Sequence, residues 1–209
     1  MIPRLPMATT SIMRRMLPLL LAALAAGPGA LAGEPADIKS DPVSWAFVRT
    51  EGSSISLDGV FQIELKGDGH WRRRPAVAAP GGGMLNSWDI LTDTDSRIGM
   101  FAVVDVAIDK LPEAKRDAYV RSLAQAFQQS GAAAMAKTGF APAGSSVTAV
   151  DSKWPHTQLA VTRFQHGDEA QVSFTYLYPA GRLYVISCTV SSEDEPSWFR
   201  DTCQSLDCK

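Results

Sequence analysis

Three thiols lie near one end of this chain. Cys188, Cys203 and Cys208 all fall within "YVISCTVSSEDEPSWFRDTCQSLDCK", Tyr184 to Lys209. Thiols serve as nucleophiles, as metal ligands or as staples. A nucleophilic thiol needs a base or a cation beside it to hold the thiolate. A closed metal site needs four ligands, and the three histidines, His70, His156 and His166, are all distant in sequence. A staple needs only a second thiol and an oxidising compartment. The spacing favours the staple. Tyr184, Ile186, Cys188 and Val190 alternate along one face of an apolar strand, and Phe199, Cys203 and Leu206 recur on one face of a helix. The expected bridge joins Cys188 to Cys203. Cys208 is then left at a flexible end, available for a disulfide-linked dimer. Pairings of Cys203 with Cys208 and of Cys188 with Cys208 remain open.

Other chemistries find less support. A Ser/His/Asp or Cys/His arrangement would have to use one of the three histidines, and no serine stands in GxSxG. His156 and His166 read as turn residues. "KTG" (Lys137 to Gly139) has no accompanying SxxK. "DTDS", with Asp93, Asp95 and upstream Asp89, lacks the ordered ligands of a calcium loop and fits a β-turn. "GGG" (Gly81 to Gly83) lacks the Lys-Ser or Lys-Thr of a P-loop. Glu64, Asp105 and Glu169 are expected on strands, facing water. The expectation is therefore no catalytic residue, no metal and no cofactor. The best surface candidate is "HWRRRP". His70, Trp71, Arg72, Arg73 and Arg74 offer forked hydrogen bonds to an anion or an acidic partner; the alternative is a solvated loop, with Trp71 in the core and the arginines alternating outward.

Arg14 and Arg15 precede the apolar "MLPLLLAALAA", and "ALA" ends at Ala32. This pattern predicts a signal peptide over 1–32, followed by a flexible segment over 33–45 and one domain over 46–209. The apolar run falls short of the ~20 residues that span a bilayer. Loss of Arg4, Arg14 and Arg15 with the leader takes the net charge from −2 to −5. An acidic chain has no electrostatic footprint for nucleic acid. The expected home is the bacterial periplasm or the medium, with a further periplasmic protein as partner.

Alternation in "GVFQIELK" predicts a half-buried strand, and "RIGMFAVVDVAI", apolar on both faces, a central one. "KLPEAKRDAYVRSLAQAFQQSG" shifts to helical spacing, with Gly131 able to close the helix or the alanine run after it to extend it with a bend. "APGGGMLNS" and "GFAPAGSS" read as loops. "QLAVTRF", "AQVSFTYLY" and "RLYVISCTV" read as a meander, and "EPSWFRDTCQSL" as a closing helix. Together these predict an α+β domain, an antiparallel sheet packed against helices.

Three stretches carry a family resemblance. "VFQIELKGDGHW", "RDAYVRSLAQAFQ" and "GRLYVISCTVSSEDEPSWFRDTCQSL" follow the order strand and tryptophan turn, long helix, then last strand, acidic turn and closing helix. In these the chain, from about Val60 to Leu206, resembles the PsbP/Mog1-like family. The resemblance implies a small antiparallel sheet between helices and an accessory, binding or assembly role, with no shared catalytic set. The sequence thus reads as an exported, non-catalytic binding protein. An immunity protein against a periplasm-targeted toxin is the second reading, and a hydrolase built on one of the histidines is the third.

Overall fold

The computed structural model describes residues 44–78 and 84–208. The leader 1–32, nearly all of the segment 33–45 and the triglycine lie outside the described residues.

Strand β1 (Arg49–Glu51), β2 (Ser54–Leu57) and β3 (Phe61–Glu64) form a meander. They are followed by β4 (His70–Arg73), β5 (Val77–Ala78), β6 (Met84–Leu91) and β7 (Arg97–Val104). Helix α1 (Glu113–Ala136) precedes β8 (Ala141–Ala149), β9 (Gln158–His166), β10 (Glu169–Ala180) and β11 (Arg182–Val190). Helix α2 (Ser197–Ser205) and β12 (Asp207–Cys208) come last. One sheet has the order β1-β2-β3-β12. The larger has the order β4-β6-β7-β11-β10-β9-β8, with β5 continuing the β4 edge along β6. Every pairing is antiparallel.

The two sheets face one another through an aromatic core. Phe61 of the small sheet packs against Phe101, Tyr184 and Trp88 of the large one, with ring centroids 5.4, 5.8 and 6.2 Å apart. Ile55, Leu57 and Ile63 complete the small-sheet side, and Phe199, Cys203 and Leu206 bring α2 into the same core. On the opposite face of the large sheet, Val120, Ala124 and Phe127 of α1 cover Ala102, Val104, Leu177, Leu183 and Val185. This arrangement corrects the expected α+β class. The protein is mostly β, with two antiparallel sheets in a sandwich-like stack, and the fold implied by the PsbP/Mog1-like resemblance is corrected with it.

The physical reason lies in strands that carry little apolar pattern. β1 and β2 have only Ile55 and Leu57 buried. β8 is exposed at eight of its nine positions, as an edge strand can be, so "GFAPAGSS" carried no alternation and read as a loop. Likewise Met84 to Ser87, expected in a loop, begin β6. Helix α1 runs past Gly131. Gly139, at φ +89°, closes it instead: the Phe140 N–H reaches the Met135 carbonyl at 3.1 Å, the bond of a glycine-terminated helix. The "KTG" triplet is this helix end.

Strand β7 is central, between β6 and β11, and Gly99 is the point of closest approach. A Cβ there would lie 2.5 Å from the Ser187 carbonyl oxygen and 3.0 Å from Ile90 Cδ1. The Ser187 atom is backbone within a paired strand and has no room to yield. Gly99→Ala is expected to lower stability by about 1–3 kcal/mol, the usual range for forced overpacking, read as an earlier denaturant midpoint.

Candidate functional site

The arginine triplet divides between two faces of β4. Pairing of β4 with β6 sets Trp71 opposite Ile90, Arg72 opposite Asp89 and Arg73 opposite Trp88. Trp71 is buried in the inter-sheet core and its indole N–H donates to the Ser53 carbonyl at 2.7 Å. Arg73 lies on that same face. Its guanidinium sits 5.8 Å from the Trp88 ring centroid and donates to the Trp45 carbonyl at 2.9 Å.

Arg72 and Arg74 take the other face, where they meet Asp89. Asp89 is fully buried. Arg97 Nε lies 2.7 Å from Asp89 Oδ1, and Arg74 Nε donates to both carboxylate oxygens at 2.9 Å. Arg72 Nη2 lies 3.4 Å from Oδ2. Three guanidiniums thus surround one carboxylate. Arg97 is itself buried, and burial pulls its guanidinium down to about 10; Asp89 opposes this, while Arg74 and Arg72 add to it. The side chain of Arg72 is 56% exposed and that of Arg74 22%, so the cluster opens to solvent through Arg72. His70, at the start of β4, stands 3.4 Å from Asp95. Of the five expected surface residues, Trp71 is core and Arg73 covers Trp88, while Arg72 and Arg74 belong to a charged cluster and His70 meets Asp95.

Asp89 and Arg97 are the residues that reading of the sequence missed. In the sequence Asp89 stands only as an acid upstream of "DTDS", and Arg97 only as the first residue of a strand. The available signal was "SWDILTD". A carboxylate among Trp88, Ile90 and Leu91, in a strand buried on both faces, requires a cation beside it.

The remaining acids and histidines have structural surroundings. Asp105 falls just past β7, not on a strand, and accepts from Trp45 Nε1 at 3.1 Å and from Arg182 Nε at 3.0 Å. Asp95, at φ +56°, turns the chain between β6 and β7, with its N–H on the Thr92 carbonyl. His156, at φ +66°, lies in a turn, and His166 ends β9 with its ring 5.3 Å from that of Phe140. Among the described residues, no three His, Cys, Asp or Glu side chains gather as a metal-binding group.

All three cysteines are free thiols in this structure. Cys188 and Cys203 are buried in the same inter-sheet core. Cys203 lies beside the Tyr178 hydroxyl, and Cys208 beside that of Tyr184. Cys208 is not at a loose end. It pairs with Phe61 in β12 and is half-buried. Burial pushes Cys188 and Cys203 well above the ordinary thiol value and pushes Cys208 up to about 12. A nucleophilic thiol requires the opposite shift. Reduced native protein is therefore expected to resist iodoacetamide at mildly alkaline pH at Cys188 and Cys203 and to react slowly at Cys208. All three should alkylate promptly in denaturant. Prompt native labelling of Cys188 or Cys203, mapped by peptide mass, would contradict this.

No family model matches the chain, and no curated protein matches it. Among the described residues, no helix is long and apolar enough to cross a membrane.

Proposed function

We propose that this chain is an exported, non-catalytic binding protein that meets a partner protein on the Arg72 face of β4. One observation carries the reading: three guanidiniums converge on a single buried carboxylate, and one of them, Arg72, is displayed to solvent. Arginines at interfaces contribute strongly when neighbouring groups hold them in place. The rigid sheet beneath supplies that hold, since Asp89 fixes Arg74 and Arg97 before any partner arrives. The raised thiols fit a protein that does no thiolate chemistry.

Export rests on the 1–32 leader. It would place Cys188 and Cys203 where disulfides persist, and their shared core supports a bridge between them. Each thiol gives up a proton, and the pair passes two electrons to a disulfide-bearing oxidant, which leaves as a dithiol. Tyr184 stands four residues from Cys188 on the same strand face, about 13 Å at 3.3 Å per residue. Cys208 rests against Tyr184, which favours Cys203 as the partner of Cys188.

The test is capture from a periplasmic extract on immobilised mature protein, beginning at Gly33. A stoichiometric protein retained by the native chain and lost with Arg72→Ser supports the reading. Equal capture by both, or no capture, sinks it.

A further inference from the structure

We infer that two copies of this chain join edge to edge through β8, in antiparallel pairing about a two-fold axis at Val147. The inference stands apart from the Arg72 reading, since β4 and β8 are opposite edges of the large sheet.

Edge strands invite pairing, and proteins guard them with charge, proline or bulges. Strand β8 is nine residues long, is exposed at eight of them, and ends the order of the large sheet among the described residues. Its guards sit at one end. Pro142 has no N–H to donate, and the register with β9 shifts between Pro142 and Gly144. Ser145 to Ala149 then pair residue by residue with Thr162 to Gln158, and this segment of β8 holds no proline and no charge. Between Arg121 and Asp151 the only charged residue is Lys137, although charged residues make up 20% of the whole chain. That stretch includes the C-terminal half of α1, which packs on β8 and β9.

One side chain fixes the backbone directions. Gln128 Nε2 donates to the carbonyls of Ser146 and Val161, at 2.8 and 3.0 Å. A single nitrogen reaches both only when both carbonyls point into the space between β8 and β9. Along an antiparallel ladder the next residues point the other way. Ser145, Val147 and Ala149 therefore turn their N–H and C=O groups outward. A two-fold axis at Val147 matches this set to itself. Val147 meets Val147 of the second copy, and Ser145 meets Ala149, which gives about six backbone hydrogen bonds. Ser146 falls opposite Thr148, at a position where side chains approach closely and two hydroxyls can bond. Pro142 and the shifted register stay outside the paired segment. Charge also favours a second copy as the occupant: the chain is net negative, which opposes self-association wherever its charges meet, and this edge carries none. Gln128 ties β8 to α1 as well, so the edge is held in place before it pairs. The resulting dimer carries its two β4 edges at the far ends of one continuous sheet.

The test is sedimentation velocity of the mature chain under reductant, from about 1 to 500 μM, because edge pairing of this size belongs to the weak, micromolar class. Reductant removes any dimer linked through Cys208. A monomer–dimer equilibrium is expected. Ser146→Lys combined with Thr148→Lys sets like charges opposite one another and should weaken dimerisation at least roughly tenfold. Ser146→Glu combined with Thr148→Glu should do the same. Mixing the two variants should restore a dimer, because each lysine then faces a glutamate. Both positions are exposed, so the variant monomers should unfold at temperatures close to the native one. In the native chain alone, hydrogen exchange at the amides of Ser145, Val147 and Ala149 should slow as concentration rises, and this measurement decides the matter if a variant fails to fold. A native chain that stays monomeric throughout overturns the inference. So do variants that dimerise as the native chain does, and so does a mixture that stays monomeric, since the first places the contact elsewhere and the second breaks the register.

Discussion

Asp89→Asn loses about 3–5 kcal/mol of stability, the usual cost of removing one partner from a buried ion pair. It is the larger of the two effects expected of this protein. The carboxylate is fully buried and its oxygens take Arg97 at 2.7 Å and Arg74 at 2.9 Å. An amide of the same shape leaves three guanidiniums packed together without the charge of Asp89, and Arg97 among them is buried. Urea unfolding followed by tryptophan fluorescence reads the loss as an earlier midpoint at unchanged slope. The partner change sharpens the test. Combining Asp89→Leu with Arg97→Met removes the buried charge from both sides and should recover much of the stability lost by Asp89→Asn alone. A native-like midpoint for Asp89→Asn would mean that the cluster holds nothing together. The same reasoning warns against replacing all three arginines of β4 at once: the loss of Arg74 would damage the fold and mimic a lost interface.

Oxidation of Cys188 and Cys203 is expected to raise stability by about 3 kcal/mol, the chain-entropy value for closing a loop of some fifteen residues. Non-reducing peptide mapping should find the bridge between these two residues in protein taken from an oxidising compartment. A bridge through Cys208, within the chain or to a second copy, would refute the pairing. Alkaline pH gives an independent reading. The folded state holds all three thiols above their ordinary value of 9.0. In reduced protein the folded chain therefore keeps protons that the unfolded chain releases. That stability is fully present below about pH 9 and is lost as pH rises above it. The bridged protein has two fewer such groups and should lose less over the same range, before its buried tyrosines contribute. Identical alkaline losses in the two forms would show that no bridge had replaced the thiols.

The strands that were legible in the sequence are those whose side chains meet a core. β3, β7, β9, β10, β11 and both helices carry apolar residues at the period their structure demands. The sandwich stayed hidden because its smaller sheet is held by few apolar residues. Ile55 and Leu57 in β2 are too few to establish a period, and β12 is two residues long. β8 contributes backbone pairing with almost no buried side chain, and pattern reading has no access to backbone pairing. The candidate site was half legible. "HWRRRP" stands out because it clusters arginines beside an aromatic, but it reads as a turn or loop where the structure has β4. Asp89 did not stand out, since a buried carboxylate is recognised by the strand register that sets it opposite Arg72. Register is a property of the pairing between strands, not of either strand alone.

The pairing of β12 with β3 has a consequence for the order in which this chain matures. Cys208 lies opposite Phe61, so β3 pairs on one side with the adjacent β2 and on the other with β12, which follows every other strand described. Until β12 appears Phe61 lacks part of the surface that holds it against Trp88, Phe101 and Tyr184. A chain that folds as it is synthesised cannot complete this aromatic core early. Contacts between such distant parts of a sequence also form slowly. The aromatic core between the sheets is thus closed by contacts between distant parts of the chain.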